Sequence, residues 1–365
     1  MTTADESPST TATFPFTLAR SGVIMAPDPA EPFEAEGVLN PATAWNSAGD
    51  LLLYPRLVGH GNFSRIGRAY VTLEDGVPSG VQRDGVALEP ARSWEHGSNH
   101  GGTEDPRITW VPSLGVHVMT YVAFGPTGPR PALAVSTDAT TWRRLGPLLF
   151  SYEDELDVDL TLYPNKDVVL FPDVVPAPDG VPSYAMLHRP MWDLSFTRPL
   201  DEVQLPQWIG DPRPSIWISY IPAADVLADL SALTRPGKHA PVAHPEQPWE
   251  ELKIGAGPAP LRVDEGWLLL YHGVSGTITD GPFAPQDNVS YAAGAMILDA
   301  DDPSRVIARS AEPLLAPETA DETTGTVANV VFPTAIERIG ERDWVFYGMA
   351  DSRIGIAELS REVAR

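Results

Sequence analysis

Glu104, Asp105, Pro106 and Arg107 form a compact island between a Gly/His/Asn-rich loop (His96 to Gly102) and an apolar stretch from Val116 to Val122. A carboxylate pair followed by proline and arginine suits a site better than a core. One carboxyl can deliver a proton or orient a substrate, and arginine presents a planar fork that fixes a carboxylate. Pro106 is expected to hold Asp105 in extended backbone. The same pattern also fits a solvated turn entering a strand, so its meaning depends on its company downstream.

That company is basic. Lys166, Arg189, Lys253 and His272 each interrupt or border an apolar run, as in Asn165-Lys166-Asp167-Val168-Val169-Leu170 and Leu270-Tyr271-His272-Gly273-Val274. Cations beside apolar strands suggest a local anion site. Each alone also fits a structural ion pair with a neighbour such as Asp167 or Glu251. Gly255-Ala256-Gly257 has no Walker or Rossmann pattern around it and is weak evidence for a phosphate loop. No Ser sits in a Gly-x-Ser-x-Gly elbow, no His-Glu-x-x-His occurs, and His96 and His100 lie in a loop of solvent-exposed type. No metal site and no cofactor are expected.

Widely spaced residues need a scaffold that gathers them. Strand-like segments of Val, Leu, Ile, Tyr and Trp bounded by Gly, Pro, Asp or Asn recur from Leu51–Leu57 through Val116–Phe124, Asp167–Val175 and Trp267–Val274 to Asn329–Ile339 and Ile354–Glu358. Only Ala223 to Leu233 has helical spacing, through Val226, Leu227, Leu230 and Leu233. Strands ending in turn aspartates, at Ser136-Thr137-Asp138 and Leu298-Asp299, repeat as short meanders of β-propeller type, with a sandwich as the alternative. The Pro-rich stretch Thr234 to Pro248 is expected to be a long surface loop. The domain reading is a disordered tail over residues 1–20 and one all-β domain over 21–365.

Composition excludes several classes. The 365 residues contain 49 acidic and 25 basic side chains, 49 − 25 = 24 excess negative charges, which disfavours nucleic acid and anionic membranes as partners. With no cysteine there is no disulfide, thiolate metal site or cysteine nucleophile. Met1 to Thr13 is no signal peptide, and no run approaches a membrane span, so a cytoplasmic protein is expected.

Read in order, further segments join the site candidates: Asn40-Pro41-Ala42, Ser64-Arg65-Ile66-Gly67, Met186-Leu187-His188-Arg189-Pro190, Lys253-Ile254-Gly255-Ala256-Gly257-Pro258, Asn329-Val330-Val331-Phe332-Pro333 and Tyr347-Gly348-Met349-Ala350-Asp351. With Glu104 to Ile108, this ordered set resembles glycoside hydrolase family 130, the β-mannoside phosphorylases and related β-mannosidases, from about residue 37 to 358. The resemblance implies a five-bladed β-propeller with its site at one end of the axis. By the same resemblance Asp105 matches the proton donor, Asn40 and Asp351 match sugar-binding positions, and Arg65 matches a further site-lining arginine. Lys166, Arg189, Lys253 and His272 match the phosphate positions. Glu104 and Arg107, flanking Asp105, join the substrate-binding set. Pro55 stands between Tyr54 and Arg56 where the family often reads Tyr-Arg, so Arg56 is not carried over. Met191 to Pro248 is longer and richer in proline than the family's pattern, a region that could rebuild the acceptor subsites.

The implied reaction is inverting phosphorolysis of a β-mannoside. Its partners are a mannose-containing oligosaccharide and inorganic phosphate, its products α-mannose 1-phosphate and a shortened saccharide. A homo-oligomer is compatible with the sequence. A hydrolase of the same fold is the alternative, needing a second carboxylate to activate water, with Glu104, Asp280 and Glu322 as candidates. A non-catalytic sugar-binding propeller is the third reading, disfavoured by an intact Asp105.

Overall fold

The computed structural model describes residues 14–97, 100–194, 205, 208–278, 286 and 288–362. A first strand, β1 (Phe16–Met25), precedes a series of antiparallel meanders. The first holds β2 (Gly37–Trp45), β3 (Leu51–Gly59), β4 (Phe63–Glu74) and β5 (Val77–Leu88); the second holds β6 (Gly101–Val111), β7 (Val116–Gly125), β8 (Gly128–Ser136) and β9 (Arg143–Pro147). Next come β10 (Asn165–Leu170), β11 (Val175–Pro176), β12 (Pro182–Pro190), β13 (Ile216–Pro222) and β14 (Gly237–Ala243). These are followed by β15 (Lys253–Ala256), β16 (Leu261–Val263), β17 (Gly266–Thr277), β18 (Asn288–Leu298) and β19 (Val306–Arg309). The last meander is β20 (Val331–Ile339), β21 (Arg342–Met349) and β22 (Arg353–Arg361).

The strands form four sheets, and among the described residues none closes on itself. One sheet runs β1-β22-β21-β20, so the first strand of the chain lies beside the last. The eight-stranded sheet joins the first two meanders through a short parallel contact, Phe63 with Gly101 and Ser64 with Gly102. Apolar faces of neighbouring sheets pack together: Leu268, Leu270, Ala293 and Ala295 of one meet Val345, Tyr347 and Ala357 of the next. The all-β expectation holds. Among the described residues, no helix is long and apolar enough to cross a membrane.

Three of the sheets repeat one buried motif. A glutamate in a short helical turn accepts backbone N–H bonds from the residues before that turn, a tyrosine hydroxyl from the second strand and an arginine from the outermost strand. The sets are Glu95 with Tyr121 and Arg144, Glu250 with Tyr271 and Arg309, and Glu322 with Tyr347 and Arg20. Each carboxylate is desolvated but fully hydrogen-bonded, the condition under which a buried charge is tolerated. In the last set the arginine comes from β1, which therefore serves as the outer strand of the final meander.

Several expectations change. β1 begins at Phe16, inside the stretch read as a tail. The helix stops at Ala228, because the Asp229 side chain caps a separate 3-10 turn, Leu230–Thr234, accepting from Ser231 N at 2.8 Å. The presumed loop from Thr234 to Pro248 contains β14, the edge strand beside β13. Pro241 is tolerated there because an edge strand has one side without ladder bonds.

Candidate active site

Three first strands carry the same irregularity. Leu39 faces Arg56 and Ala42 faces Tyr54; Glu104 faces Val122 and Arg107 faces Thr120; Lys166 faces Arg189 and Val169 faces Leu187. In each case one extra residue bulges from the inner strand, and the bulge begins with a left-handed residue: Asn40 (φ 43°), Asp105 (φ 47°) and Asp167 (φ 55°). Asn and Asp tolerate this backbone better than other side chains with a Cβ. The extended conformation expected for Asp105 is thus not found. The bulge outweighs the bias that Pro106 imposes. On the second strands, Arg56, Arg189 and His272 occupy one level, His272 facing Gly255 across β15.

These bulges and facing residues border a cavity of about 640 Å³. Asn40, Glu104, Asp105, Lys166, Arg189, Lys253, His272 and Asp351 all line it, so the structure gathers most of the residues singled out from the sequence. Leu39, Phe124, Met191, Tyr291 and Phe332 supply apolar wall, and His100 also borders it. Two candidates lie elsewhere. Arg107 is buried beneath the floor, donating to Gly257 O (2.9 Å), Ala256 O (3.1 Å) and Asp167 Oδ1 (3.3 Å), so it supports the site from below. Arg65 stacks over the Phe33 ring at 3.5 Å and is absent from the cavity wall.

The polar groups divide into two nests. In the first, Asn40 Nδ2 donates to Asp105 Oδ1 at 2.8 Å, and Arg56 donates Nη1 to the same oxygen (3.2 Å) and Nη2 to Glu104 Oε1 (2.9 Å). Lys166 Nζ reaches Glu104 Oε2 at 3.3 Å. Arg56, passed over because of Pro55, is therefore central. Burial alone would raise the Asp105 carboxyl, but Arg56, Lys166, the Asn40 bond and Arg107 together hold it below the usual range, so it is anionic. Burial pushes Asp351 up to about 6, against the pull of Arg56 and with the repulsion of Asp105 behind it.

The second nest surrounds Asp167, unnoticed in the sequence except as a partner for Lys166. Its partners are instead Arg189 Nε at 2.5 Å and Arg107, with His272 Nε2 at 3.7 Å. Lys253 makes no ion pair with Glu251; its ammonium lies 5.3 Å from the Tyr291 ring centre. Burial, then Arg189, brings Lys253 down to about 7. His272 does not act as a cation. Burial lowers it to about 3 against the opposing pull of Asp167, so it is a neutral imidazole able to offer one N–H. Gly255 leaves room for this cluster: a Cβ there would lie 2.1 Å from Asp167 Oδ2.

Among buried polar atoms without a partner are Arg189 Nη1, both His272 ring nitrogens and Asn40 Oδ1, all in this one cavity. Buried donors and acceptors are rarely left unpaired, and a cluster of them marks a place built for a polar ligand. Among the described residues no group of His, Asp and Glu is arranged to hold a metal ion. Two of the three carboxylates suggested as water-activating bases are already engaged. Glu104 is engaged by Arg56 and Lys166, and Glu322 belongs to the buried Tyr347–Arg20 set outside the cavity. Asp280 lies outside the described residues.

The family model described as β-1,4-mannooligosaccharide phosphorylase, that of glycoside hydrolase family 130, matches residues 28–364. This chain belongs to glycoside hydrolase family 130. A 1,2-β-oligomannan phosphorylase of Thermoanaerobacter sp. (strain X514) is 30% identical over 92% of the chain and 94% of its own length. A β-1,4-mannooligosaccharide phosphorylase of Ruminococcus albus is 30% identical over 78% of the chain and 70% of its own length. The solved β-1,2-mannobiose phosphorylase of Listeria innocua superposes with a TM-score of 0.68, at 20% identity over 94% of this chain and 96% of that one, a likeness of fold. In this family 130 chain the two nests share one cavity wall, the carboxylate nest around Asp105 and the donor-rich nest around Asp167.

Proposed function

We propose that the protein is an inverting β-mannoside phosphorylase built as a five-bladed β-propeller. The blade count follows if the eight-stranded sheet is two four-stranded blades joined by the Phe63–Gly101 parallel contact, giving five with the other sheets. The observation that carries the function is the group of unsatisfied buried donors on Arg189 and His272 beside Lys253, whose ammonium lies over the Tyr291 ring and forms no ion pair among the described residues. A neutral sugar alone gains little from such a group, whereas a phosphate dianion satisfies it with charge-assisted bonds. It also provides a local positive well in a chain of formal charge −24.

In this reading the terminal mannosyl unit binds between Asn40, Asp105 and Asp351. Phosphate, held by Arg189, Lys253, Lys166 and the His272 N–H, attacks C1 from the face opposite the departing oxygen. The C–O bond to the leaving saccharide breaks, and that oxygen takes a proton from Asp105, directly or through a sugar hydroxyl. The anionic Asp105 of the free protein must first gain that proton. A bound dianion favours this, because it offsets Lys166 and adds negative charge near the carboxyl. The products are α-mannose 1-phosphate and a shortened saccharide.

The test is to incubate the protein with β-1,2-mannobiose, β-1,4-mannobiose and mannosyl-glucose, with and without phosphate. Phosphate-dependent formation of mannose 1-phosphate is expected. Equal cleavage without phosphate, releasing free mannose, refutes the reading in favour of a hydrolase.

A further inference from the structure

The buried Glu–Tyr–Arg set of three sheets is replaced in the sheet that carries Lys166, Asp167 and Arg189. Tyr121, Tyr271 and Tyr347 lie on second strands, facing Ala132, Gly294 and Gly355; two residues further along each third strand, Ala134, Met296 and Ala357 face the arginines. At the corresponding places, His188 faces Trp217, and the next position but one is Ser219, beside His239 of β14. Tyrosine, alanine or methionine, and arginine have become histidine, serine and histidine.

These residues form one directional chain. Arg189 N donates to Asn165 Oδ1 at 3.1 Å, which turns the Asn165 amide nitrogen toward His188 Nδ1 at 3.0 Å. His188 Nε2 then donates to Ser219 Oγ (2.7 Å), whose hydroxyl donates to His239 Nδ1 (2.7 Å). His239 Nε2 lies 2.8 Å from Ser151 O, a carbonyl that can only accept, so the direction agrees from both ends. Asn165, His188, Ser219 and His239 are all buried, and the two rings pack on Phe150. Burial lowers both imidazoles, keeping them in the neutral form that this direction requires. The chain carries no charge. It therefore adds no second buried carboxylate to the Asp167 that already pairs with the Arg189 guanidinium.

We propose that His188, Ser219 and His239 are positioning residues that hold Arg189 and the Asn165-Lys166-Asp167 segment in phosphate-binding geometry; this rests on the phosphorylase reading. The test compares Ser219→Ala and Ser219→Thr with wild type on whichever mannobiose wild type phosphorolyses. Losing the hydroxyl leaves buried groups unpaired, so S219A should raise the KM for phosphate on the order of tenfold. The KM for mannoside and kcat at saturating phosphate should stay within about twofold. S219T keeps the hydroxyl and should restore the phosphate KM. A wild-type phosphate KM in S219A, or equal losses in both variants, overturns the positioning inference while leaving phosphorolysis standing. A wild type indifferent to phosphate refutes the phosphorylase reading, and the inference falls with it. Imidazole 15N spectra of wild type near about pH 7.5 give a check that needs no variant. Both histidines should be neutral with the proton on Nε2, and an imidazolium or an Nδ1–H form at either overturns the chain.

Discussion

Asn40 and Asp105, on the first strands of two successive meanders, meet at 2.8 Å, amide nitrogen to carboxylate oxygen. Each opens a bulge with a left-handed backbone and each is followed by proline. The bulge re-aims the side chain out of the strand's alternation and into the cavity. The carboxyl read as the acid is thus fixed by a neighbouring meander as well as its own.

Asp105→Asn should lower turnover by on the order of 10²–10⁴. Asparagine tolerates the φ of 47° found here, so the far-UV circular dichroism should be unchanged. Turnover near wild type would remove Asp105 from the chemistry.

Arg189→Ala and Lys253→Ala should each raise the KM for phosphate by about 10- to 100-fold, the loss of one charge-assisted bond. Mannoside binding should change much less. Steady-state kinetics with each substrate varied in turn separates the two.

Lys253, brought down to about 7 by burial and then by Arg189, is cationic below that pH and neutral above it. The kcat/KM for phosphate should therefore fall as pH rises through about 7. Bound phosphate favours the ammonium, so the alkaline limb of kcat should lie higher than that of kcat/KM. Lys253→Arg, charged throughout, should move the limb of kcat/KM upward.

Gly255→Ala places a Cβ 2.1 Å from Asp167 Oδ2 and 2.5 Å from the His272 ring. Asp167 cannot retreat without leaving Arg189 and Arg107, and the His272 ring is packed on Phe332. The variant should lose phosphorolysis and about 1–3 kcal/mol of stability by overpacking, measured by denaturant titration.

Glu322→Gln should cost stability without activity. It weakens the bonds to Arg20 and Tyr347, so chemical denaturation should show reduced stability, while kcat stays within about twofold because the group lies outside the cavity. A collapse of kcat in a folded variant would reinstate it as a base.

Much of this was legible in the chain. Alternating apolar runs are the direct trace of half-buried strands, and isolated basic residues beside such runs mark where strands reach the cavity. What was hidden depends on pairing. Pro55 looked like an interruption before Arg56, yet on the β2 side Tyr54 pairs with Ala42 and Arg56 with Leu39. The proline lies opposite the Asn40-Pro41 bulge, where its missing N–H costs no ladder bond to that strand. Likewise Arg107 and Asp105 are two apart, which on an even strand means one face. The bulge between Glu104 and Arg107 breaks that rule and sends the arginine beneath the floor. The neutrality of His272 could not be read either, since it arises from residues far apart in sequence.

The placement of β1 against β22 has a consequence for how the molecule comes into being. Arg20 reaches Glu322 across 302 positions of chain, so β1, once made, must wait for its partner until β22 has left the ribosome. Any chain shortened past Met25 would leave the outer edge of β22 bare permanently, open to strands from other molecules.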